Sequence, residues 1–213
     1  DVLSTDDSIK LEDLLGKNVT VSLAMPDDEK RYFNGFVSRF ALAGAVGDLT
    51  WYQATLRPWL WFLTRTSDCR IFQDKKVPDI IKQIFKEYGF SDLDDQLKGS
   101  YRKWVYCVQY RETDFNFVSR LMEQEGIYYY FTHEDGKHTL VLADAPGAHS
   151  KIPEQEVPYF QPTEAVVDKE DSVHDWHISQ EIQPAKYSLT DYDFEKPKAS
   201  LEVKKSVSPK HKE

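Results

Sequence analysis

The chain has 213 residues, 30% of them charged, and a formal net charge of −9. Its 29 aromatic residues are too many for a disordered chain. The longest apolar run, 59–63, is far short of the roughly 18 residues a transmembrane helix needs. The acidic balance argues against free nucleic acid as a partner, because such binders carry a basic stripe that displaces counterions from phosphate. The length fits one or two domains with a sizeable core.

Residues 18–65 read as strands. Val19, Val21, Leu23 and Met25 alternate with Thr20, Ser22 and Ala24, the period of a half-buried strand. A turn at Pro26-Asp27-Asp28 leads into a long run, 31–42, where Asn34-Gly35 predicts a bulge or bend. Residues 50–57 alternate again. Between 66 and 145 the period changes to that of helices. Pro78 suits a first helical position and Gly89 a stop, with Ile80, Ile81, Ile84, Phe85 and Tyr88 on one apolar stripe. A strand is expected at 104–110. A second helix, 113–125, should be capped by Thr113, led by Asp114 and ended by Gly126, burying Phe117, Val118, Leu121 and Met122. A hairpin joins 127–132 to 139–143 through Glu134-Asp135-Gly136. Beyond the breaker Asp144-Ala145-Pro146-Gly147, residues 145–172 read as loop with a short strand at 157–160. Two strands are expected at 174–182 and 185–194, and a frayed Lys-rich tail or linker from 195.

The sequence offers no nucleophile elbow, phosphate-binding loop, zinc-protease motif or dinucleotide fingerprint. His174 and His177 would point to opposite faces of a strand and so cannot share a metal ion. Asp94-Asp95 and Glu170-Asp171 sit in polar stretches where solvent keeps carboxylates ionised, unlike a glycosidase pair. Cys107 lies in a strand beside Val105, where packing raises a thiol pKa. Cys69 and Cys107 are 38 residues apart and form no disulfide framework or zinc site, although one bridge between them stays open. No catalytic residue, cofactor or metal is expected. Both chain ends, Asp1 and Lys210-His211-Lys212-Glu213, are expected to be cuts from something longer.

Aromatic residues are the more telling feature. Trp51, Trp59, Trp61, Tyr128, Tyr129 and Tyr130 are the candidate packing or subunit-interface positions. Neighbours in a strand face opposite sides, so both faces of 127–131 carry bulk. Three explanations are open: the helices cover the second face, a partner subunit does, or the rings form a carbohydrate-stacking platform.

Four segments carry a family resemblance, the first three being Arg31-Tyr32-Phe33-Asn34-Gly35-Phe36-Val37, Tyr52-Gln53-Ala54-Thr55-Leu56-Arg57-Pro58-Trp59-Leu60-Trp61 and Asp68-Cys69-Arg70-Ile71-Phe72-Gln73. The longest follows at 109–131, from Gln109-Tyr110-Arg111-Glu112-Thr113-Asp114 to Gly126-Ile127-Tyr128-Tyr129-Tyr130-Phe131. Together they resemble the N-terminal, phage-baseplate-hub-like domain of VgrG proteins, the spike proteins of bacterial type VI secretion (Rhs-element Vgr family). The resemblance implies an α+β, mainly β fold: two small β-barrels joined by an α/β connector. It divides the chain into a first barrel at 1–65, N-terminally incomplete, a connector with two helices and a hairpin at 66–150, and a second barrel at 151–213. The last would lead into a linker toward an OB-fold and needle. It further implies a homotrimer with pseudo-sixfold symmetry seated on the hexameric Hcp tube. The remaining partners would be baseplate and effector proteins. The spike would assemble in the cytoplasm, be secreted, puncture the target envelope transiently without stable membrane insertion, and have no enzymatic activity. Arg111, Glu112 and Asp114 would fix the strand-to-helix turn. The alternatives are a carbohydrate- or peptidoglycan-binding module and, less favoured, a carboxylate-based hydrolase.

Overall fold

The computed structural model describes residues 1–25, 28–150, 157, 159, 173, 175–182 and 184–207. It forms two compact units, Asp1–Pro153 and Glu154–Glu213.

The first unit opens with a four-stranded antiparallel sheet of order β1-β4-β3-β2. Its strands are β1 (Val2–Ser4), β2 (Asn18–Ala24), β3 (Lys30–Val46) and β4 (Leu49–Arg57), with a single helical turn α1 (Leu11–Leu14) between β1 and β2. Val37, Phe40 and Tyr52 are buried on it, with Ile9, Leu14, Val19, Ala54 and Leu56 packed around them. Phe40 and Tyr52 stack at 5.3 Å.

The expected interruption at Asn34-Gly35 is absent. The register runs unbroken through Thr20↔Asn34 and Val19↔Gly35, and the irregularities fall at Val37/Arg39 and Leu42/Gly44. Glycine serves close approach here: a Cβ at Gly35 would stand 3.1 Å from the Arg57 carbonyl oxygen and 3.3 Å from Leu56 Cβ. Backbone on the partner strand yields poorly. Gly35→Ala is therefore expected to destabilise by about 1–3 kcal/mol, read from the denaturation midpoint, whereas an uncrowded strand glycine would gain slightly.

Past Pro58 the expected strand character ends. Trp59–Thr64 is a 3-10 helix that buries Trp59, Leu60 and Leu63. Next come β5 (Ser67–Lys76) and α2 (Val77–Glu87). The expected stripe is there, since Ile80, Ile81, Ile84 and Phe85 are buried, and each fully buried isoleucine contributes roughly 1.5–3 kcal/mol. Pro78 lies in the first turn, and Gly89 takes the left-handed conformation just past the end, φ 78°. Then β6 (Leu93–Asp95) and β7 (Lys103–Thr113) lead to α3 (Asp114–Glu125). Thr113 caps α3 by accepting from the Asn116 N–H at 3.1 Å, and Gly126 closes it at φ 73°. Strands β8 (Tyr128–Glu134) and β9 (Lys137–Ala143) form the hairpin, turning through Asp135 and Gly136.

β5 pairs antiparallel with β7, and the second sheet has the order β6-β9-β8 with β6 parallel to β9. Phe72, Cys107, Phe117, Val118, Leu121, Met122, Leu140 and Leu142 join the α2 residues and the 3-10 helix in the main core. Asp94-Asp95, read as loop, belongs to β6, where Asp95 ion-pairs with Lys82. The ladder pairs Cys69 with Tyr110 and Cys107 with Phe72. An odd offset puts the two thiols on opposite faces, so they are free and unbridged. Burial pushes the Cys107 thiol up, as its strand position predicts, while Val105 itself is exposed.

In the second unit, β10 (Lys186–Leu189) pairs antiparallel with β11 (Val203–Ser206). The tail expected to fray thus holds a strand. Residues 175–182, expected as a strand, carry none. Tyr159 makes a single parallel bridge to Val173; Pro158, Phe160, His174 and Glu170-Asp171 lie outside the described residues, as do Pro26-Asp27. The chain is mainly β with few helices. Among the described residues no strand pairing joins β1 to β2, so the four-stranded sheet is open.

Candidate functional site

The six aromatic candidates do not form one platform. Trp59 is 1% exposed, packed edge-on to Phe85 at 4.9 Å and stacked on Phe90 at 4.8 Å. Its indole Nε1 has no hydrogen-bond partner among the described residues. Trp61 is half-buried beneath the Arg65 guanidinium at 4.6 Å. Trp51, also half-buried, donates from Nε1 to Asp1 Oδ1 at 3.1 Å, at the β1–β4 edge.

The tyrosine triplet separates by alternation along β8. Tyr129 turns toward the main core with Phe131, 5.9 Å between rings, and burial raises its phenol pKa. Tyr128 and Tyr130 face the other way and hold His149, whose ring stacks on theirs at 5.6 and 5.0 Å. Their hydroxyls donate to the carbonyls of Ala145 and Ala148 at 3.1 and 3.2 Å. The second face of β8 is thus met by the segment following β9, an explanation the sequence did not suggest.

Two buried polar networks position these elements. At the β7–α3 junction the carboxylate of Asp114, 2% exposed, accepts from Arg70 Nη2 at 2.5 Å, Gln109 Nε2 at 2.6 Å and the Tyr88 hydroxyl at 2.7 Å. Burial raises the Tyr88 pKa, helped by Asp114. Glu112 pairs instead with Arg120 on α3 at 2.6 Å, and its carbonyl accepts from Gln109. Arg111 takes the left-handed conformation, φ 52°, with its guanidinium 5.2 Å above the Tyr110 ring. Arg70, Tyr88 and Gln109 were missed as partners of this turn because no local pattern joins strand β5 to helix α3.

The second network joins the first sheet to the main core. His138 Nε2 accepts from the Trp59 N–H at 2.8 Å, and Nδ1 donates to Asn34 Oδ1 at 2.6 Å, which fixes a neutral imidazole. Asn34 Nδ2 donates onward to Asn18 Oδ1 at 2.6 Å and Thr20 Oγ1 at 2.8 Å, while its N–H donates to His133 Nδ1 at 3.1 Å. Burial is the main cause holding the His138 pKa below its ordinary value; His133 adds to it and Asp92 opposes. The unfolded chain therefore takes up a proton near pH 6.5 that the folded chain refuses. Stability from this residue is complete above that pH and falls as pH drops toward the folded-state value. Wild type is expected to lose stability between pH 7.5 and 5 more steeply than His138→Gln, by up to about 1.4 kcal/mol per pH unit. Parallel pH profiles of the two unfolding midpoints would remove this role.

Among the described residues no group of three or more His, Cys, Asp or Glu is arranged to hold a metal ion. No helix among them is long and apolar enough to cross a membrane.

Comparison with known proteins gives the context for this architecture. The family model described as the phage tail baseplate hub (GPD) matches residues 1–213. The type VI secretion system spike protein VgrG1c of Pseudomonas aeruginosa is 53% identical over 212 residues, 99% of this chain and 29% of that protein. VgrG1a of the same organism is 51% identical over 211 residues, 99% of this chain and 33% of the relative. The chain thus spans about a third of the length of these curated relatives. A solved Escherichia coli protein, c3393, described as a type VI secretion component similar to bacteriophage T4 tail proteins gp27 and gp5, superposes with TM-score 0.65. It is 22% identical, and the match covers 91% of this chain and 48% of that one, which shows the shared fold. With aromatic side chains serving its cores and turns and its whole length matching one family model, the chain belongs to the phage tail baseplate hub family, where it resembles the VgrG-type spike proteins.

Proposed function

We propose that this chain is the hub of a type VI secretion puncturing spike. In this reading three copies close into a ring that docks on the hexameric Hcp tube, with baseplate and effector proteins as further partners, for effector delivery. The spike is assembled in the cytoplasm, is secreted through the apparatus and punctures the target envelope transiently. The hub itself catalyses no reaction. Residues 1–65 belong to a first barrel, 66–150 to the connector, and 151–213 to a second barrel leading toward an OB-fold and needle. The match of all 213 residues to the baseplate hub family is the observation that carries this reading. An open sheet supports it as well, since a barrel wall must be completed by further strands or neighbouring chains. Within the six aromatic positions, Trp51, Trp61 and Tyr128 keep exposed surface for such contacts, whereas Trp59 serves the core.

The test uses the full-length protein. Light scattering is expected to give a trimer, and an immobilised hexameric tube ring is expected to retain it. A monomer that ignores the ring would sink the proposal.

A further inference from the structure

The β5–β7 ribbon has two unlike sides. One is buried: Phe72 stacks on Phe117 of α3 at 5.6 Å, and Cys107 and Gln109 lie beside it. The pairs Cys69↔Tyr110, Ile71↔Val108 and Gln73↔Tyr106 share the opposite side. All six residues are exposed there, Ile71 by 58% and Tyr110 by 64%. None of the six carries a charge, in a chain with 30% charged residues; the Arg111 guanidinium, 5.2 Å above the Tyr110 ring, is the cation at one end of the patch. Left-handed residues bound this patch at both ends, Asp74 and Arg111, each at φ 52°. Such conformations cost roughly 1–3 kcal/mol in a residue other than glycine and persist only where the surroundings impose them. Just past the first, Lys75 turns its ammonium to Gln83 on α2, away from the patch. Past the second, Glu112 turns to Arg120 on α3. Among the described residues β5 and β7 pair with no other strand, and the Val108 carbonyl on β7 accepts from Arg120 of α3 at 3.1 Å.

We propose that this uncharged face, Cys69, Ile71, Gln73, Tyr106, Val108 and Tyr110, is the surface on which a second copy of the chain docks. The inference rests on the ring-forming reading above and names the contact. Charge selects the occupant. Two chains of net charge −9 repel, and one meets the other at least cost on a face whose six residues include no carboxylate and whose rim carries the Arg111 cation. A basic partner would be recognised by carboxylates, which these six positions lack. Tyrosine and apolar side chains on a rigid, helix-backed ladder are the composition of an interface centre.

Cys69 is a built-in reporter. The full-length protein is treated with iodoacetamide, Cys69 alkylation is followed by peptide mass spectrometry, and mass is measured by light scattering. Assembled protein is expected to react at Cys69 at least about tenfold more slowly than dissociated protein, because thiol chemistry requires access. Ile71→Glu and Tyr110→Glu are each expected to dissociate the assembly and restore reactivity while the far-UV circular dichroism spectrum stays that of the folded chain. Because the native thiol reports without any substitution, a variant that fails to fold does not decide the outcome. An assembly that leaves Cys69 fully reactive overturns this contact while leaving the hub reading intact. Protection that appears only after tube protein is added overturns it in favour of that partner. A protein that never assembles overturns both.

Discussion

Arg70→Ala is expected to lower the unfolding free energy by about 3–5 kcal/mol, because it strands a buried carboxylate. Asp114 is 2% exposed, and Arg70 supplies its cationic partner; Gln109 and Tyr88 would remain as neutral donors only. Arg70 also bonds Glu87 at 2.5 Å and Gln109 Oε1 at 2.8 Å, so one side chain ties β5, α2, β7 and α3 together. Against a typical total of about 5–15 kcal/mol this is a large fraction. Urea denaturation measures it. A loss under about 1 kcal/mol would mean that water replaces the guanidinium and that the pair behaves like an exposed one. Arg120→Ala supplies that comparison: its pair with Glu112 is half-exposed, and a loss of about 0–1 kcal/mol is expected.

Trp59→Ala is the second large effect, about 3–5 kcal/mol for emptying the space between Phe85 and Phe90. Trp51→Ala and Trp61→Ala, at half-buried positions, are expected to cost clearly less. Thermal melts of the three variants compare them directly, and similar small shifts in all three would contradict the core assignment. The same burial bears on carbohydrate binding. Trp59 offers no ring face to a sugar, and Tyr128 and Tyr130 already stack on His149.

Local signals carried most of what the sequence revealed. Thr113, Gly126, Pro78 and Gly89 act within one helical turn of themselves, so α2 and α3 lie within a residue of where their caps and stripes predict. The β8–β9 hairpin was legible for the same reason. β5 was not, because Asp68, Arg70, Gln73, Asp74, Lys75 and Lys76 leave it no sustained apolar alternation; only the distant Asp114 turns Arg70 inward. β6 has one apolar residue and depends on β9 for its pairing, and β11 is half lysine. The aromatic candidates were visible as residue types but not as roles. Trp59 and Trp61 are two positions apart, yet the 3-10 helix sends only the first into the core. The exposed face of β5–β7 escaped notice because Tyr106, Val108 and Tyr110 look like core residues until α2 and α3 are seen to occupy the other side.

The bridge from Trp59 through His138 to Asn34 has a further consequence. Among the described residues three buried side chains, Val37, Phe40 and Tyr52, anchor the apolar cluster of the first sheet, too few to hold four strands together unaided. By borrowing rigidity from the helical layer through a neutral imidazole, the sheet gives up independence. Heat should therefore take both apart in a single cooperative step, neither outlasting the other.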